Sequence, residues 1–369
     1  MNNSQKVPFV DLYAQYLSIK GEIDHAIERT IKESSYIGGK PVVGFEQEFA
    51  QYCKLPYVIS CGNGTDSIEI LLKASGIGAG DEVIVPAITW ISSAEAVTAI
   101  GAKPVFVDIE ADYFTINPAL IEAAITPRTK AIIPVHLYGH PADMPAIMEI
   151  ARKHNLFVLE DCAQSHGAAI NGQLAGTFGH AASFSFYPGK NLGAYGDAGA
   201  MATADQALAE KARMIANHGQ QGKHNHLMEG RNSRLDGLQA AILSAKLPHL
   251  DKWTEMRINN ASRYDAVLQS IGKVQSPKVK EGYKHVFHLY VLKVNERENL
   301  QKKLAASGID TAIHYPTALP FLACYSHYGH VPNDFPVAHA NQQNILSIPM
   351  YAELTNEQIS YIAGVIGEN

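Results

Sequence analysis

The chain has 369 residues, of which 46% are hydrophobic, and 30 basic against 36 acidic side chains give a formal net charge of −6. A chain longer than about 300 residues usually divides into more than one domain, so we predict two, at 1–245 and 246–369. No block of lysine and arginine could follow a phosphate backbone, which argues against nucleic acid as a partner. No run approaches the roughly 18 apolar residues of a membrane span.

Targeting and metal signals are weak. The first six residues lead into no apolar segment of the kind found in signal peptides, and we expect a cytoplasmic protein. The four cysteines show no Cys-x-x-Cys spacing, so we expect buried, reduced thiols. The sixteen histidines are not grouped with further ligands, and we predict no metal site.

From residue 55 to 215, short β-rich runs alternate with segments whose apolar residues recur at helical spacing. The runs are 57–60, 82–85, 104–107, 131–135 and 156–159, and an apolar strand over 181–186 follows. Strands that alternate with helices indicate an α/β fold with a mostly parallel sheet and helices on both faces.

The remainder of the chain differs in pattern. A long helical stretch from 236 to about 270 is interrupted near Pro248. We then predict a strand over 286–294, a helix over 296–306, a short segment around Ile313, and helices near 336–346 and 355–366. This pattern predicts a smaller C-terminal α+β domain.

One glycine-rich segment has the order of an anion site. Residues 61–67, Cys-Gly-Asn-Gly-Thr-Asp-Ser, follow a strand and open a helix, so free amides and hydroxyls there can hold an anion. A plain turn with a Thr or Asp cap is the alternative. Because a helix N-terminus stabilises a charge by only about 0.3 to 1 kcal/mol, further anchors are needed, and the Ser185 hydroxyl is a candidate.

An acid and a lysine follow two of the predicted strands. Asp161 ends the apolar run 156–160, and Lys190 follows the strand 181–186 in a Pro-Gly turn. Pyridoxal phosphate requires this pairing, because a lysine amine bonds its aldehyde and a carboxylate keeps its ring nitrogen protonated. Burial would lower the Lys190 pKa and supply a neutral amine. We predict that Lys190 and Asp161 are catalytic; a surface lysine and a turn aspartate are the alternatives.

These segments resemble the sugar aminotransferase family known as DegT/DnrJ/EryC1/StrS. The resemblance covers nearly the whole chain and is carried by residues 7–12, 64–67, 160–164, 185–192 and 231–241. It implies the fold of type I pyridoxal phosphate enzymes, with a large PLP-binding α/β domain and a smaller C-terminal domain. It also implies a homodimer with shared active sites.

The resemblance assigns further site residues. It implies that the cofactor is bound by Gly64, Thr65, Asp66, Trp90, Gln164, Ser185 and, from the other subunit, Asn232. Trp90 would stack on the ring, although core packing is the alternative. The candidates for substrate binding are Tyr187, His314, Tyr315 and Arg231. Packing beside a proline for Tyr315, and a solvated position for Arg231, are the alternatives.

The activity implied is transfer of an amino group from L-glutamate to a nucleotide-linked keto-sugar, with pyridoxamine phosphate as the intermediate form of the cofactor. Residues 185–199 look most like the subgroup that makes 3-amino-3,6-dideoxyhexoses on dTDP. Lipopolysaccharide, an S-layer glycan and an antibiotic are the alternative destinations of the amino sugar. A 4-keto or UDP-linked sugar is an alternative substrate. A dehydratase, in which a histidine typically replaces the lysine, and a non-catalytic regulatory relative are the alternative functions.

Overall fold

The computed structural model describes residues 6–269 and 271–368. The helices are α1 Leu12–Ser18, α2 Lys20–Lys32, α3 Gly39–Cys53, α4 Gly64–Ala74, α5 Ser92–Ala99, α6 Pro118–Ile121, α7 Met144–His154, α8 Gln206–Ala216, α9 Gly237–Lys246, α10 Leu250–Leu268, α11 Arg297–Ala306, α12 Pro336–Asn344 and α13 Asn356–Gly367. The strands are β1 Tyr57–Cys61, β2 Glu82–Pro86, β3 Lys103–Val107, β4 Thr129–Ile132, β5 Phe157–Asp161, β6 Ala169–Ile170, β7 Gln173–Leu174, β8 Ala181–Ser185, β9 Gly199–Thr203, β10 Val274–Gln275, β11 Tyr283–Lys284, β12 Tyr290–Val294 and β13 Ile345–Ile348.

The largest sheet has seven strands in the order β1-β9-β8-β5-β4-β2-β3. Strand β9 is antiparallel to both of its neighbours, and the other pairings in the sheet are parallel. The prediction of a mostly parallel sheet is therefore confirmed. Strands β1, β2, β5 and β8 point the same way, so the loops that follow them meet at one edge of the sheet, where open α/β sheets bind ligands.

Both faces of this sheet are buried, which explains its uninterrupted apolar strands. In β2, Val83 and Val85 pack into a core with helices α4, α5 and α8, while Ile84 faces the opposite core with α7. A third cluster joins α3 to β8 through Phe49, which lies 5.0 Å from the Phe184 ring at 90°.

A second sheet, β10-β12-β13, is antiparallel and packs against α10 and α13. Val7, near the start of the chain, joins its core and forms a bridge with Ile309. Residues 318–338 return to the core of the seven-stranded sheet. The division at 245/246 stays a prediction.

Two predicted elements differ in the structure. The strand predicted over 286–294 begins only at Tyr290, because Phe287 has φ 44° and the buried Arg257 guanidinium donates to the Phe287 carbonyl oxygen. The helix predicted to 346 ends at Asn344, since the four buried residues that follow pair with β12 as β13. Both differences lie where tertiary contacts override local pattern.

Exposure of the cysteines also differs from the prediction at one position. Cys53, Cys61 and Cys162 are buried, whereas Cys324 is exposed. Burial raises the pKa of the Cys162 thiol well above its ordinary value.

In the described ranges, no helix combines the length and the apolar character that crossing a bilayer demands.

Substitution Phe49→Ala is expected to lower the free energy of unfolding by about 3 to 5 kcal/mol, because it leaves a cavity in a close-packed aromatic cluster. The matched control is Val43→Ala in the same helix, where the side chain is 50% exposed and the change should stay within about 0.5 kcal/mol. Urea unfolding of the cofactor-free protein measures both. Equal destabilisation by the two variants would contradict this packing.

Candidate active site

A cavity of about 780 Å³ lies at the carboxyl edge of the large sheet. The loops after β1, β2, β5 and β8 all contribute to its wall. Eleven of the predicted site residues line it: Gly64, Thr65, Asp66, Trp90, Asp161, Gln164, Ser185, Tyr187, Lys190, His314 and Tyr315. Its volume falls within the range of about 300 to 1,000 Å³ typical of small-molecule sites.

Asp161 is the last residue of β5 and is buried. Its Oδ2 accepts a hydrogen bond from the Ser93 hydroxyl at 2.8 Å, and its Oδ1 accepts one from the Ala163 amide at 3.1 Å. A buried carboxylate needs such donors, because an unpaired charge away from water is strongly disfavoured. The two bonds fix this negative charge at the floor of the cavity.

The neighbouring Glu160 anchors the end of β5. Its carboxylate accepts hydrogen bonds from the amides of Gly176, Phe178 and Gly179 at 2.6 to 2.7 Å. His136 Nδ1 accepts from a backbone amide, so its Nε2 carries the hydrogen that it donates to Glu160 at 3.0 Å. Glu160, His136 and Cys162 lie close enough to suggest metal ligands, but the Glu160 oxygens already accept four hydrogen bonds.

Lys190 lies in a loop that folds back on itself between β8 and β9. Its amide donates to the Tyr187 carbonyl oxygen at 2.8 Å, and a Cβ at Gly193 would lie 2.3 Å from the Pro188 oxygen, so only glycine fits there. Burial lowers the pKa of the Lys190 amine to about 8, although the Asp161 carboxylate acts in the opposite direction. A proton can therefore leave and return to this amine near neutral pH.

The start of α4 forms a cradle for an anion. Asn63 caps the Asp66 amide at 2.8 Å, whereas the amides of Gly64 and Thr65 have no protein acceptor among the described residues. Such free amides at a helix N-terminus bind anions. A Cβ at Gly64 would lie 2.8 Å from the Cβ of Ser185, so glycine allows the Ser185 hydroxyl to approach these amides.

The residues of the cavity fit pyridoxal phosphate. Lys190 offers an amine for the aldehyde, Asp161 a carboxylate for the ring nitrogen, and the Gly64 and Thr65 amides a cradle for the phosphate. These three anchors line a single cavity. Asp66 lines it as well, but its amide is already bound to Asn63, so it has no free backbone donor for a phosphate.

Aromatic and amide groups form another wall. The Trp90 side chain is 56% exposed, and its ring centroid lies 5.6 Å from that of Tyr315. Gln164 Oε1 accepts from the Tyr138 amide at 2.6 Å and its Nε2 donates to the Tyr315 hydroxyl at 3.1 Å. The remaining N–H of this amide is available to a bound ligand. Tyr187 is exposed at the rim.

Two neutral imidazoles complete the cavity. Burial, with a further effect of Lys190, lowers the pKa of His314 to about 4. His288, to which no sequence motif points, also lines the cavity. Its Nδ1 donates to Asn191 Oδ1 at 3.3 Å, because the Asn191 amide nitrogen is committed to the Val286 oxygen. The predicted strand over 286–294 concealed this histidine as an ordinary strand residue.

Arg231 and Asn232 do not line the cavity of their own chain. The Arg231 guanidinium forms ion pairs with Asp66 at 2.7 Å and Glu69 at 2.5 Å. Within its own chain Arg231 is therefore held by acidic side chains outside the cavity, and its binding of substrate stays a prediction. Asn232 is exposed, and its approach to a second subunit stays a prediction.

Comparison with known proteins places these features in context. The sequence pattern of the DegT/DnrJ/EryC1/StrS aminotransferase family matches residues 17–366. The chain is 46% identical to a "Pleiotropic regulatory protein" of Geobacillus stearothermophilus over 98% of both chains. It is 45% identical to a UDP-N-acetyl-3-dehydro-alpha-D-glucosamine 3-aminotransferase of Acidithiobacillus ferrooxidans, over 99% of this chain and 98% of that one. It is 43% identical to a dTDP-3-amino-3,6-dideoxy-alpha-D-galactopyranose transaminase of Aneurinibacillus thermoaerophilus, over 98% of both.

Two solved structures also resemble this chain over nearly its whole length. DesV of S. venezuelae superimposes with a TM-score of 0.96 at 42% identity, over 98% of this chain and 97% of that one. NtdA of Bacillus subtilis, solved with the bound cofactor PMP, gives a TM-score of 0.88 at 32% identity, over 100% of this chain and 86% of that one.

The pKa of Lys190 can be measured on the cofactor-free protein. Reductive methylation with formaldehyde, followed by peptide mapping at several pH values, is expected to give a midpoint near pH 8 for Lys190. Because Asp161 raises this pKa, Asp161→Asn should move the midpoint below 8. The exposed Lys40 serves as the internal reference for the extent of labelling. A midpoint that rises or stays constant in Asp161→Asn would refute the assigned electrostatics.

Proposed function

The chain belongs to the DegT/DnrJ/EryC1/StrS aminotransferase family and is a pyridoxal-phosphate-dependent enzyme of fold type I, and we propose that it transfers an amino group from L-glutamate to a nucleotide-linked 3-keto-sugar. The proposed acceptor is a dTDP-3-keto-6-deoxyhexose, which gives a dTDP-3-amino-3,6-dideoxyhexose. The names of the two transaminase relatives, one for a dTDP-sugar and one for a UDP-sugar, both place the amino group at carbon 3.

One observation carries the proposal. Lys190, Asp161 and the free amides of Gly64 and Thr65 line the same cavity. A regulatory protein that only bound a metabolite would have no chemical need for a lysine whose pKa is lowered to about 8 by burial. The dehydratase alternative is disfavoured because a lysine, not a histidine, occupies position 190.

Each residue of the cavity has a distinct task. When bound, pyridoxal phosphate supplies an aldehyde that bonds amines and a ring that takes up the electron pair left by a departing proton. With the cofactor bound, the Asp161 carboxylate would hold the ring nitrogen protonated, and Gln164 would offer its remaining N–H to the ring hydroxyl. The Lys190 amine moves a proton to and from the substrate carbon, so one lysine serves the glutamate half-reaction and the keto-sugar half-reaction.

The sugar part of the substrate would lie against the aromatic wall. Tyr187 exposes a flat, amphipathic face at the cavity, which suits a sugar ring or a base, and the exposed Trp90 ring is the one that would stack on the cofactor ring. His288, His314 and the Tyr315 hydroxyl offer neutral hydrogen-bonding groups to sugar hydroxyls. Neutral groups of this kind can orient hydroxyls without the cost of burying another charge.

The diphosphate of the nucleotide-linked sugar needs positively charged partners, and the aromatic wall of the cavity supplies none. Of the side chains from the described residues that line the cavity, Lys190 is the only lysine or arginine. We therefore propose a homodimer whose second subunit completes the site, with Asn232 reaching the cofactor phosphate of its partner. The exposed Arg234 lies two residues further along the same segment and is available to a diphosphate.

A panel of 3-keto and 4-keto dTDP- and UDP-hexoses with glutamate tests the activity by mass spectrometry. We expect the 3-keto dTDP-sugar to be aminated, and Lys190→Ala to abolish the product together with the covalent label that borohydride leaves. Lys130→Ala, at an exposed position of β4, is the control and should keep both. Amination of ordinary keto acids instead of every sugar would contradict the substrate class. Metabolite binding without any amination would favour the regulatory alternative.

Substitution Asp161→Ala is expected to abolish most activity and to weaken retention of the cofactor. Removing one partner of a buried charged pair costs about 3 to 5 kcal/mol, because the protonated ring nitrogen is left without its carboxylate. Cofactor loss during dialysis and single-turnover rates with glutamate measure the two effects. Near-normal turnover in the variant would show that some other group opposes the ring nitrogen.

A further inference from the structure

Arg231 contacts the first two turns of α4, the helix whose N-terminus forms the anion cradle. One guanidinium nitrogen contacts Asp66 Oδ1 at 2.7 Å and another contacts Glu69 Oε2 at 2.5 Å. The planar fork of arginine suits such a double contact, and its charge persists at any working pH. Glu69 has a second partner, Lys73, at 3.0 Å. For Asp66, Arg231 is the one ion-pair partner that the described chain supplies.

The backbone around Arg231 holds the guanidinium in this position. The Arg231 amide donates to the Ile215 oxygen at 2.8 Å. Two residues later, the Ser233 hydroxyl accepts from the Gly62 amide at 3.1 Å, at the entrance to α4. The segment that carries Arg231 is therefore bound directly to the loop that carries the cradle.

The charge of Asp66 needs such a partner. Its side chain is buried and lines the cavity beside Gly64 and Thr65, the residues whose amides are free to hold a phosphate. A carboxylate that lines the same cavity as a doubly charged phosphate would repel it, and buried charges are screened only weakly by salt. A cation beside Asp66 removes that repulsion without entering the cavity.

We propose that Arg231 is a positioning residue for the phosphate of the cofactor: it neutralises Asp66 and holds the first turn of α4 against residues 231–233. The proposal rests on the proposed function, since it takes the anion in the cradle to be the phosphate of pyridoxal phosphate. Arg231 does not line the cavity, so it acts through Asp66 and not by touching the phosphate.

The test compares two ligands on the cofactor-free, full-length protein: pyridoxal phosphate, and pyridoxal, which lacks the phosphate. Dissociation constants are read from the absorbance of the bound aldehyde. Arg231→Gln is expected to weaken binding of pyridoxal phosphate by about tenfold or more, with less than about a twofold effect on pyridoxal. Adding Asp66→Asn to this variant should restore most of the lost affinity, because the repelling charge is then gone.

Arg128→Gln is the matched control. Arg128 pairs with Glu82 at 2.6 Å, away from the residues that line the cavity, so its loss should leave both dissociation constants unchanged. If Arg231→Gln does not fold, Arg231→Lys and the single variant Asp66→Asn replace it. We expect Arg231→Lys to retain most of the affinity for pyridoxal phosphate, and Asp66→Asn to bind it at least as tightly as the parent protein.

Several outcomes overturn the inference. Equal losses for pyridoxal phosphate and pyridoxal in Arg231→Gln would show a general structural role. Failure of Asp66→Asn to restore affinity would show that Arg231 acts on the phosphate itself. Weaker binding by Asp66→Asn alone would show that its carboxylate helps the phosphate. Failure of the parent protein to bind either aldehyde at Lys190 would instead refute the proposed function.

Discussion

The site depends on one buried negative charge, the Asp161 carboxylate at the end of β5. Its oxygens are fixed by Ser93 and Ala163, at 2.8 and 3.1 Å, and the strand end beneath it is anchored through Glu160. A carboxylate held in this way keeps a pyridine nitrogen cationic, which gives the cofactor ring its capacity to accept electrons. It also opposes the effect of burial on Lys190, whose pKa lies at about 8.

Parallel strand direction brings the chemistry together. Because β1, β5 and β8 run the same way, the phosphate cradle, the carboxylate and the lysine amine meet at one sheet edge although they are far apart in the chain. Close packing then requires glycine where backbone segments cross: at Gly64 beside Ser185, and at Gly193 beside Pro188. The fold thus supplies three anchors for one cofactor from three separate loops.

The sequence predicts the parts that follow from local pattern. Alternating strands and helices indicate the parallel sheet, and Lys190 and Asp161 are predicted as catalytic because Asp161 ends one predicted strand and Lys190 lies in the turn after another. Tertiary contacts decide the rest. His288 lies in a turn that Arg257 and the positive φ of Phe287 create, and no periodicity reveals that turn. Arg231 finds its acidic partners 162 and more residues away, so its charge alone suggests a ligand where the structure has an ion pair.

The protonation state of the cofactor ring tests the central claim most directly. Nitrogen-15 NMR of the protein loaded with pyridoxal phosphate labelled at the ring nitrogen reports whether that nitrogen carries a proton. We expect a protonated nitrogen throughout the neutral pH range, and loss of that proton in Asp161→Asn, because the asparagine side chain is close in shape to aspartate but uncharged. A neutral ring nitrogen in the parent protein, or a signal identical in the two proteins, would contradict the role of Asp161.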